Sequence, residues 1–170
     1  MTQINVEPSM IIREFDAPRT LVFDAWTKVE HLTQWMFPMP GCICEYASAN
    51  IENNGSSLHK VTMPNGHQMW LLTKFEEVSR PEKLVFLQYM SNEKGDIVPT
   101  QHIENWPKHM LATLLFEEIA EDRTKLTFYW QPKNATAEEA QAFENSRQDH
   151  GKGWGAGMDQ LEAYLASSEV

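Results

Sequence analysis

The short pattern that most resembles a functional motif is a run of alternating glycines. It reads Gly151-Lys152-Gly153-Trp154-Gly155-Ala156, which matches the alanine form of the dinucleotide-binding fingerprint. That fingerprint binds phosphate only where it follows a strand and opens a helix, because the free N–H groups of the first turn hold the anion. Here the residues from Gln141 to Gln148 already read as helix, so the run lies inside a predicted helix. We therefore exclude dinucleotide binding.

Cysteine and histidine side chains could form a metal centre, but their spacing does not favour one. Cys42 and Cys44 have no second cysteine pair, and on a strand they would share one face. The six histidines show neither the HExxH spacing nor a zinc-finger arrangement: His31, His59, His67, His102, His109 and His150. The G-x-S-x-G nucleophile motif is also absent. We expect no metal, no cofactor and no catalytic residue, and an enzyme is the less favoured class.

His150 is the best candidate for acid–base chemistry, with Asp149 beside it. On the predicted helix His150 falls on the apolar stripe, which favours a hydrogen-bonded core residue over a catalyst. If it faces a cavity instead, a neutral imidazole could orient a ligand there.

The acidic composition argues against two classes of partner. The chain has 24 acidic and 14 basic residues, a net charge of −10, and its basic residues never form a run. Nucleic-acid binders concentrate Lys and Arg on one face. No apolar run approaches the roughly 18 residues of a membrane span, and the first eight residues lack a signal-peptide pattern. We expect a cytoplasmic protein that binds neither nucleic acid nor membrane.

The elements that would position these residues are strands, interrupted once by helices. A first strand is predicted over 10–15, followed by two short helices, the second over 29–35. Further strands are predicted over 46–51, 58–63, 68–78, 84–90, 110–119 and 125–130. Short turns such as Pro64-Asn65-Gly66 join them, which favours an antiparallel meander. The length of 170 residues fits one domain, with its core over 10–166.

A long C-terminal helix follows the strands. Thr136 is a suitable N-cap, and an apolar stripe recurs at three- and four-residue steps from Phe143 to Leu165. A sheet of six or seven strands is roughly 25–30 Å wide, whereas one helix is only about 10–12 Å across. The sheet must therefore curve around the helix, and curving leaves a space that side chains or a ligand must fill. The predicted fold is α+β, with a curved antiparallel sheet around one helix.

The glycines in the middle of this helix lower its stability, so we expect another interaction to compensate for them. Each costs about 1 kcal/mol relative to alanine in a helix interior. We expect close approach of the helix backbone to the sheet and to bulky neighbours such as Trp154. A bend that shapes the pocket is the less favoured alternative.

Large side chains are expected to fill most of the core and, in part, to line the cavity. The candidate lining residues are Trp35, Phe37, Trp70, Phe86, Trp106, Met110, Trp130, His150, Trp154 and Met158. The apolar pattern over 68–75 leaves open whether Met69 or Trp70 points inward. The long loop over 91–108 carries His102, Ile103 and Trp106, and it either covers an opening or is a solvated excursion.

Several motifs resemble the activator of heat-shock-protein ATPase homologue family, which belongs to the START-like, helix-grip superfamily. They are Arg13-x-Phe15-Asp16-Ala17-Pro18, Val22-Phe23-x-Ala25-Trp26-Thr27, Leu32-x-x-Trp35-x-x-Pro38, Gly153-Trp154 and Met158-Asp159-x-Leu161-x-x-Tyr164-Leu165. The resemblance runs from Ile12 to Leu165 and implies the helix-grip fold of the bacterial single-domain members. Trp35-Met36 stands where a Trp-Trp pair is typical, so ligand preference does not transfer.

The resemblance also implies a set of functions. Members of the superfamily bind lipids, sterols, polyketides and other apolar molecules in the cavity, and some are cyclases. Our first hypothesis is a carrier or sensor that binds a small apolar or amphipathic ligand. The alternatives are a chaperone ATPase-activating cofactor and a START-like cyclase or hydrolase, and a homodimer is left open.

Overall fold

Seven strands and four helices make up the protein in a computed structural model that describes residues 4–100 and 103–167. The elements in chain order are β1 (Ser9–Phe15), α1 (Arg19–Thr27), α2 (Val29–Trp35), β2 (Ile43–Ala49), β3 (Ser56–Thr62), β4 (Gln68–Ser79), β5 (Lys83–Ser91), β6 (Met110–Ala120), β7 (Arg123–Pro132), α3 (Ala137–Asn145) and α4 (Arg147–Ala166).

The strands form one sheet in the order β1-β7-β6-β5-β4-β3-β2, and every neighbouring pair is antiparallel. Strands β2 to β7 therefore form a meander, while α1 and α2 carry the chain from β1 at one edge to β2 at the other. The predicted helix-grip fold is confirmed, with a curved antiparallel sheet, two short helices after the first strand and a long C-terminal helix.

Irregularities in the ladder help the sheet to curve around α4. The register shifts between Tyr46 and Ser48, between Phe75 and Glu77, and between Glu118 and Ala120. A bulge of this kind bends its strand and increases the local right-handed twist. Three of them in one sheet favour a concave face towards the helix.

A dense apolar core fills the space between β6, β7, α1 and the second half of α4. Leu114, Leu126, Phe128 and Leu161 there are fully buried. The ring of Phe23 meets that of Phe116 edge-on, with centroids 5.0 Å apart. This end of the protein is filled by its own side chains.

The C-terminal helical region is two helices, where the sequence predicts one. Thr136 caps α3 through a capping box with Glu139, as expected for a helix start, but α3 ends at Asn145 and α4 begins at Arg147. The hydroxyl of Ser146 lies 3.2 Å from the carbonyl oxygen of Phe143 and 3.3 Å from that of Ala142. A serine that competes for backbone carbonyls in this way favours a helix break.

The expectation that the glycines of α4 allow close packing is wrong. A Cβ added at Gly151, Gly153 or Gly157 would meet no atom within 4 Å, and at Gly155 it would meet only the Arg13 side chain, at 3.9 Å. The glycines do not break the helix, because α4 is continuous from Arg147 to Ala166.

Within the residues that the structure describes, no helix is both long and apolar enough to cross a lipid bilayer.

Candidate functional site

A cavity of about 460 Å³ lies between the sheet and the first half of α4. Its floor is the concave face of β3, β4, β5 and β7. Its other walls come from α4, from α1 and α2, and from the segments that follow α2 and precede β6. The volume falls within the range of roughly 300–1,000 Å³ that small-molecule sites occupy.

The position of α4 explains why this region is hollow. Among the described residues, the backbone of α4 lies closest to β1, α2 and α3, and the cavity separates its first half from the inner faces of β3, β4 and β5. Gly153 and Gly157 border the cavity and present no side chain to fill it. The space left between helix and sheet is therefore open at this end.

The structure places most of the candidate lining residues on the wall of this cavity. They are Trp35, Phe37, Trp106, Trp130, His150, Trp154 and Met158. Met110 lines an adjoining second cavity of about 1090 Å³, formed between β5 and the loop before β6. Trp106 and Trp130 border both cavities and so lie between them.

Two candidates, Phe86 and Trp70, line neither cavity. Phe86 belongs to the packed core, with its ring 6.1 Å from that of Phe75. The hairpin register pairs Met69 with Val61 and Trp70 with Lys60, and it is Met69 and Val61 that line the cavity. Trp70 therefore lies on the outer face, where the Lys60 ammonium is 5.7 Å from its ring.

Tryptophan rings form most of the wall near the start of α4. Trp130 lies 5.7 Å from Trp106 and 5.9 Å from Trp154 between ring centroids, and it meets His150 edge-on at 5.1 Å. Trp106 and Ile103 come from the long loop, and both border the cavity, so this part of the loop forms part of its wall. His102 of the same loop lies outside the described residues.

His150 is held by hydrogen bonds on both sides of its ring. Nδ1 lies 2.7 Å from the hydroxyl of Ser9, and Nε2 lies 2.9 Å from that of Ser146. The Ser146 hydroxyl also lies within reach of two backbone carbonyls, and when it donates to one of them it accepts from the Nε2–H of His150. Burial, with the nearby Arg147, lowers the pKa of His150 and favours the neutral ring. These contacts favour the hydrogen-bonded structural interpretation of this residue.

His59, on β3, has the opposite environment. It exposes only 2% of its surface, lines the cavity, and neither ring nitrogen has a hydrogen-bond partner among the described residues. The ring of Tyr46 stacks on it, with centroids 4.8 Å apart. Burial lowers the pKa of His59 to about 4, so the ring is neutral at pH 7 and offers one donor and one acceptor.

The remaining polar groups on the wall are few. Gln88 donates weakly to Thr73, at 3.4 Å, and Trp26 Nε1 is a buried donor without a partner in the described structure. Asp149 is exposed at the margin, where its carboxylate lies 3.2 Å from the Lys152 ammonium. No Lys or Arg is among the described residues that line the cavity. The described wall is therefore mainly apolar and carries no Lys or Arg.

Sequence reasoning did not single out His59, although a signal for it was present. The Asn65-Gly66 turn fixes a register in which Val61 pairs with Met69 and His59 with Leu71. Because side chains alternate along strands, these four residues share one face. A histidine on the buried face of a strand is unusual, and this placement was a signal that His59 is a candidate site residue.

The described residues contain no cluster of side chains that could form a metal centre. Among the described residues, no three His, Cys, Asp or Glu side chains are grouped as a metal site requires. Cys44 is buried, and burial raises the pKa of its thiol to about 12, so it is protonated at neutral pH.

The curved sheet, the long helix and the space between them define a helix-grip protein. The chain belongs to the family described as Activator of Hsp90 ATPase homolog 1-like protein, whose family model matches residues 16–166. The family resemblance read from the sequence is thereby confirmed. No curated protein matches this chain.

Solved bacterial structures share the fold over nearly the whole chain. A protein from Staphylococcus epidermidis is 25% identical, with a TM-score of 0.73, over 97% of this chain and 93% of its own. One from Arthrobacter aurescens is 22% identical, with a TM-score of 0.74, over 92% and 84%. Protein Ms6760 from Mycobacterium smegmatis is 19% identical, with a TM-score of 0.72, over 94% and 90%.

Proposed function

We propose that this protein binds a small apolar or amphipathic molecule in the cavity beside α4, as a carrier or sensor. The observation that carries the proposal is a cavity of about 460 Å³ whose wall is mainly aromatic and aliphatic. Small-molecule sites have this character, with a few polar groups that orient the ligand. Protein interiors otherwise pack densely, and empty space costs stability. A hollow of this size therefore favours an occupant.

In this proposal the ligand lies against Trp106, Trp130 and Trp154, and His150 keeps its two serine partners. Cys42 and Cys44 are unpaired, in keeping with the reducing cytoplasm where we place the protein. The proposal includes no reaction, because the hydrogen bonds of His150 give it a structural role.

Native mass spectrometry of the protein purified from cells tests this function. We expect a fraction with the added mass of a small molecule, released by organic solvent. Equilibrium dialysis against naphthalene, as a model apolar ring, provides an independent measurement. If no added mass is found and naphthalene does not bind, the carrier or sensor function is wrong.

A second candidate, a chaperone ATPase-activating cofactor, is favoured by an exposed apolar strip on the outer face of the sheet. Ile12 and Leu115 both pair with Thr127, and they expose 49% and 38% of their surfaces. Exposed apolar patches often contact another protein. Stimulation of a purified Hsp90 ATPase, lost in Ile12→Lys, would support this role, and no stimulation would reject it. Sedimentation of the wild-type protein and of Ile12→Lys measures their molecular masses and so tests for a homodimer.

A further inference from the structure

The cavity contains a polar ring whose hydrogen-bonding groups no described protein atom satisfies. His59 is almost completely buried and borders the cavity, yet both of its ring nitrogens lack partners. Buried polar groups in proteins are nearly always hydrogen-bonded, because an unpaired one loses its interaction with water without replacement. This position therefore favours a polar partner that the chain does not supply.

The surroundings of His59 define the chemistry of that partner. Tyr46 covers one face of the ring, and Val61 and Leu71 lie beside it on the cavity floor. No Lys or Arg is among the described lining residues, so a carboxylate or phosphate would lose its hydration without gaining a counter-ion. The polar group that enters is therefore uncharged.

Comparison with the other histidine of the cavity shows which ring has unused hydrogen-bonding positions. His150 has both nitrogens within 2.9 Å of serine hydroxyls, so it has no free hydrogen-bonding position for a ligand. His59 has a neutral ring with one N–H donor and one acceptor nitrogen, both unused by the described chain. Both nitrogens are covered by protein atoms in this structure, so the ring of His59 or of Tyr46 must shift for a ligand to reach them. A ligand hydroxyl can then donate to the acceptor nitrogen or accept from the N–H.

We propose that the occupant of the cavity is an uncharged ring compound with a hydroxyl group, and that this hydroxyl hydrogen-bonds the imidazole of His59. The flat indoles of Trp106, Trp130 and Trp154 favour a ring over a flexible chain as the apolar part. Trp26, a residue of the same wall, has a second unpartnered donor, its Nε1–H, which is likewise covered by protein atoms in this structure. This inference rests on the proposed function and narrows the class of ligand.

Three probes with the same ring system test the inference. Naphthalene has no polar group, 2-naphthol adds one uncharged hydroxyl, and 2-naphthoate adds a carboxylate that is charged at pH 7. Equilibrium dialysis gives the Kd of each. We expect the wild-type protein to bind 2-naphthol about tenfold more tightly than naphthalene, as one added hydrogen bond would give. We expect 2-naphthoate to bind more weakly than both.

Substitutions at His59 assign the preference to that residue. In His59→Phe, which keeps a ring without hydrogen-bonding groups, the ratio of the two Kd values should fall to within about twofold of one, as expected once the bond is lost. His59→Gln keeps a donor and an acceptor and should retain part of the preference. His67→Phe is the matched control, because His67 lies exposed in the β3–β4 turn, and it should keep the wild-type ratio.

The results separate this inference from the proposed function. If wild type shows no preference for 2-naphthol, if His59→Phe keeps the preference, or if 2-naphthoate binds best, the role of His59 is wrong, while naphthalene binding still supports the carrier or sensor. If none of the probes binds, the inference is rejected, and the proposed function is rejected with it when native mass spectrometry also finds no added mass. If His59→Phe does not fold, imidazole ¹⁵N NMR of the wild type decides. The His59 resonances should shift with 2-naphthol and not with naphthalene, and the same shift with both would reject the inference.

Discussion

The two halves of α4 lie over the same sheet but have different surroundings. The second half carries Leu161 and Tyr164, which are buried in the packed core with α1, β6 and β7. Gly153 in the first half and Gly157 at the midpoint border the cavity, and a Cβ added at either would meet no atom within 4 Å. Met158 lies between the two halves and contributes to both the core and the cavity wall.

This difference shows that the region that stabilises the fold is distinct from the region proposed to contact a ligand. In the packed half, Leu161 and Tyr164 are buried, so dispersion and the hydrophobic effect both favour the native state. In the hollow half, polar atoms such as those of His59 remain unpaired, and glycines weaken the helix. Features that cost stability without a structural benefit are typical of functional sites.

The sharpest test of this comparison is to truncate one leucine in the packed core and one on the cavity wall. Leu161→Ala should lower the free energy of unfolding by about 2–5 kcal/mol, because it leaves a cavity in a filled core. Leu71→Ala should cost less than about 2 kcal/mol, because that side chain already faces open space. Urea unfolding of both variants measures the two values. Equal losses would show that the hollow half is packed as tightly as the core.

The pH dependence of stability tests the buried state of His59. Its folded pKa is about 4, against 6.5 for the free side chain, so the unfolded chain binds more protons between these values. Lowering the pH through this window therefore destabilises the wild-type protein, and the loss should approach the order of 3 kcal/mol near pH 4. His59→Phe should lack this contribution. The lowered pKa values of His109 and His150 act in both proteins and cancel in the comparison.

Urea unfolding at a series of pH values between 7 and 4 gives both curves. His67→Phe provides the control, and it should follow the wild-type curve. Parallel curves for wild type and His59→Phe would mean that His59 is protonated or solvated in the native state.

Filling the cavity from the helix side should weaken binding without harming the fold. Gly157→Leu places a side chain in the cavity, and its Cβ meets no atom within 4 Å, so the helix can accommodate it. We expect at least about a tenfold rise in the Kd for naphthalene, a loss of roughly 1.4 kcal/mol. Gly151→Leu is the control, because Gly151 lies in the same helix but does not line the cavity. Unchanged binding in Gly157→Leu would place the ligand elsewhere.

Local patterns predicted most of the fold, because they depend on short-range chemistry. The Asn65-Gly66 turn, the alternating strands and the Thr136 cap each act within a few residues. The break at Ser146 was missed, because the apolar stripe continues on both sides of it and one serine does not show whether its hydroxyl will bond to the backbone. The choice between Met69 and Trp70 required the register across the hairpin.

The candidate site was less predictable, because it depends on distant parts of the chain. Trp106, Trp130 and Trp154 were identified by type, since large aromatic residues line pockets as well as cores. His59 was not identified, because its significance is the lack of a partner, and that depends on β2, β4 and α4 together. Whether the space is hollow depends on the summed volumes of side chains from many elements, which spacing alone does not give.

The smallest expected effect concerns the glycines themselves. Gly151→Ala should raise the free energy of unfolding by about 0.5–1 kcal/mol, because alanine loses less backbone entropy in a helix and its Cβ meets no atom within 4 Å. Gly157→Ala should stabilise α4 equally but weaken naphthalene binding, because its Cβ enters the cavity. Thermal and urea unfolding, together with equilibrium dialysis, distinguish the two variants. If Gly151→Ala destabilises the protein instead, the backbone at position 151 does not have ordinary α-helical geometry. If both variants bind alike, the hollow half of α4 does not touch the ligand.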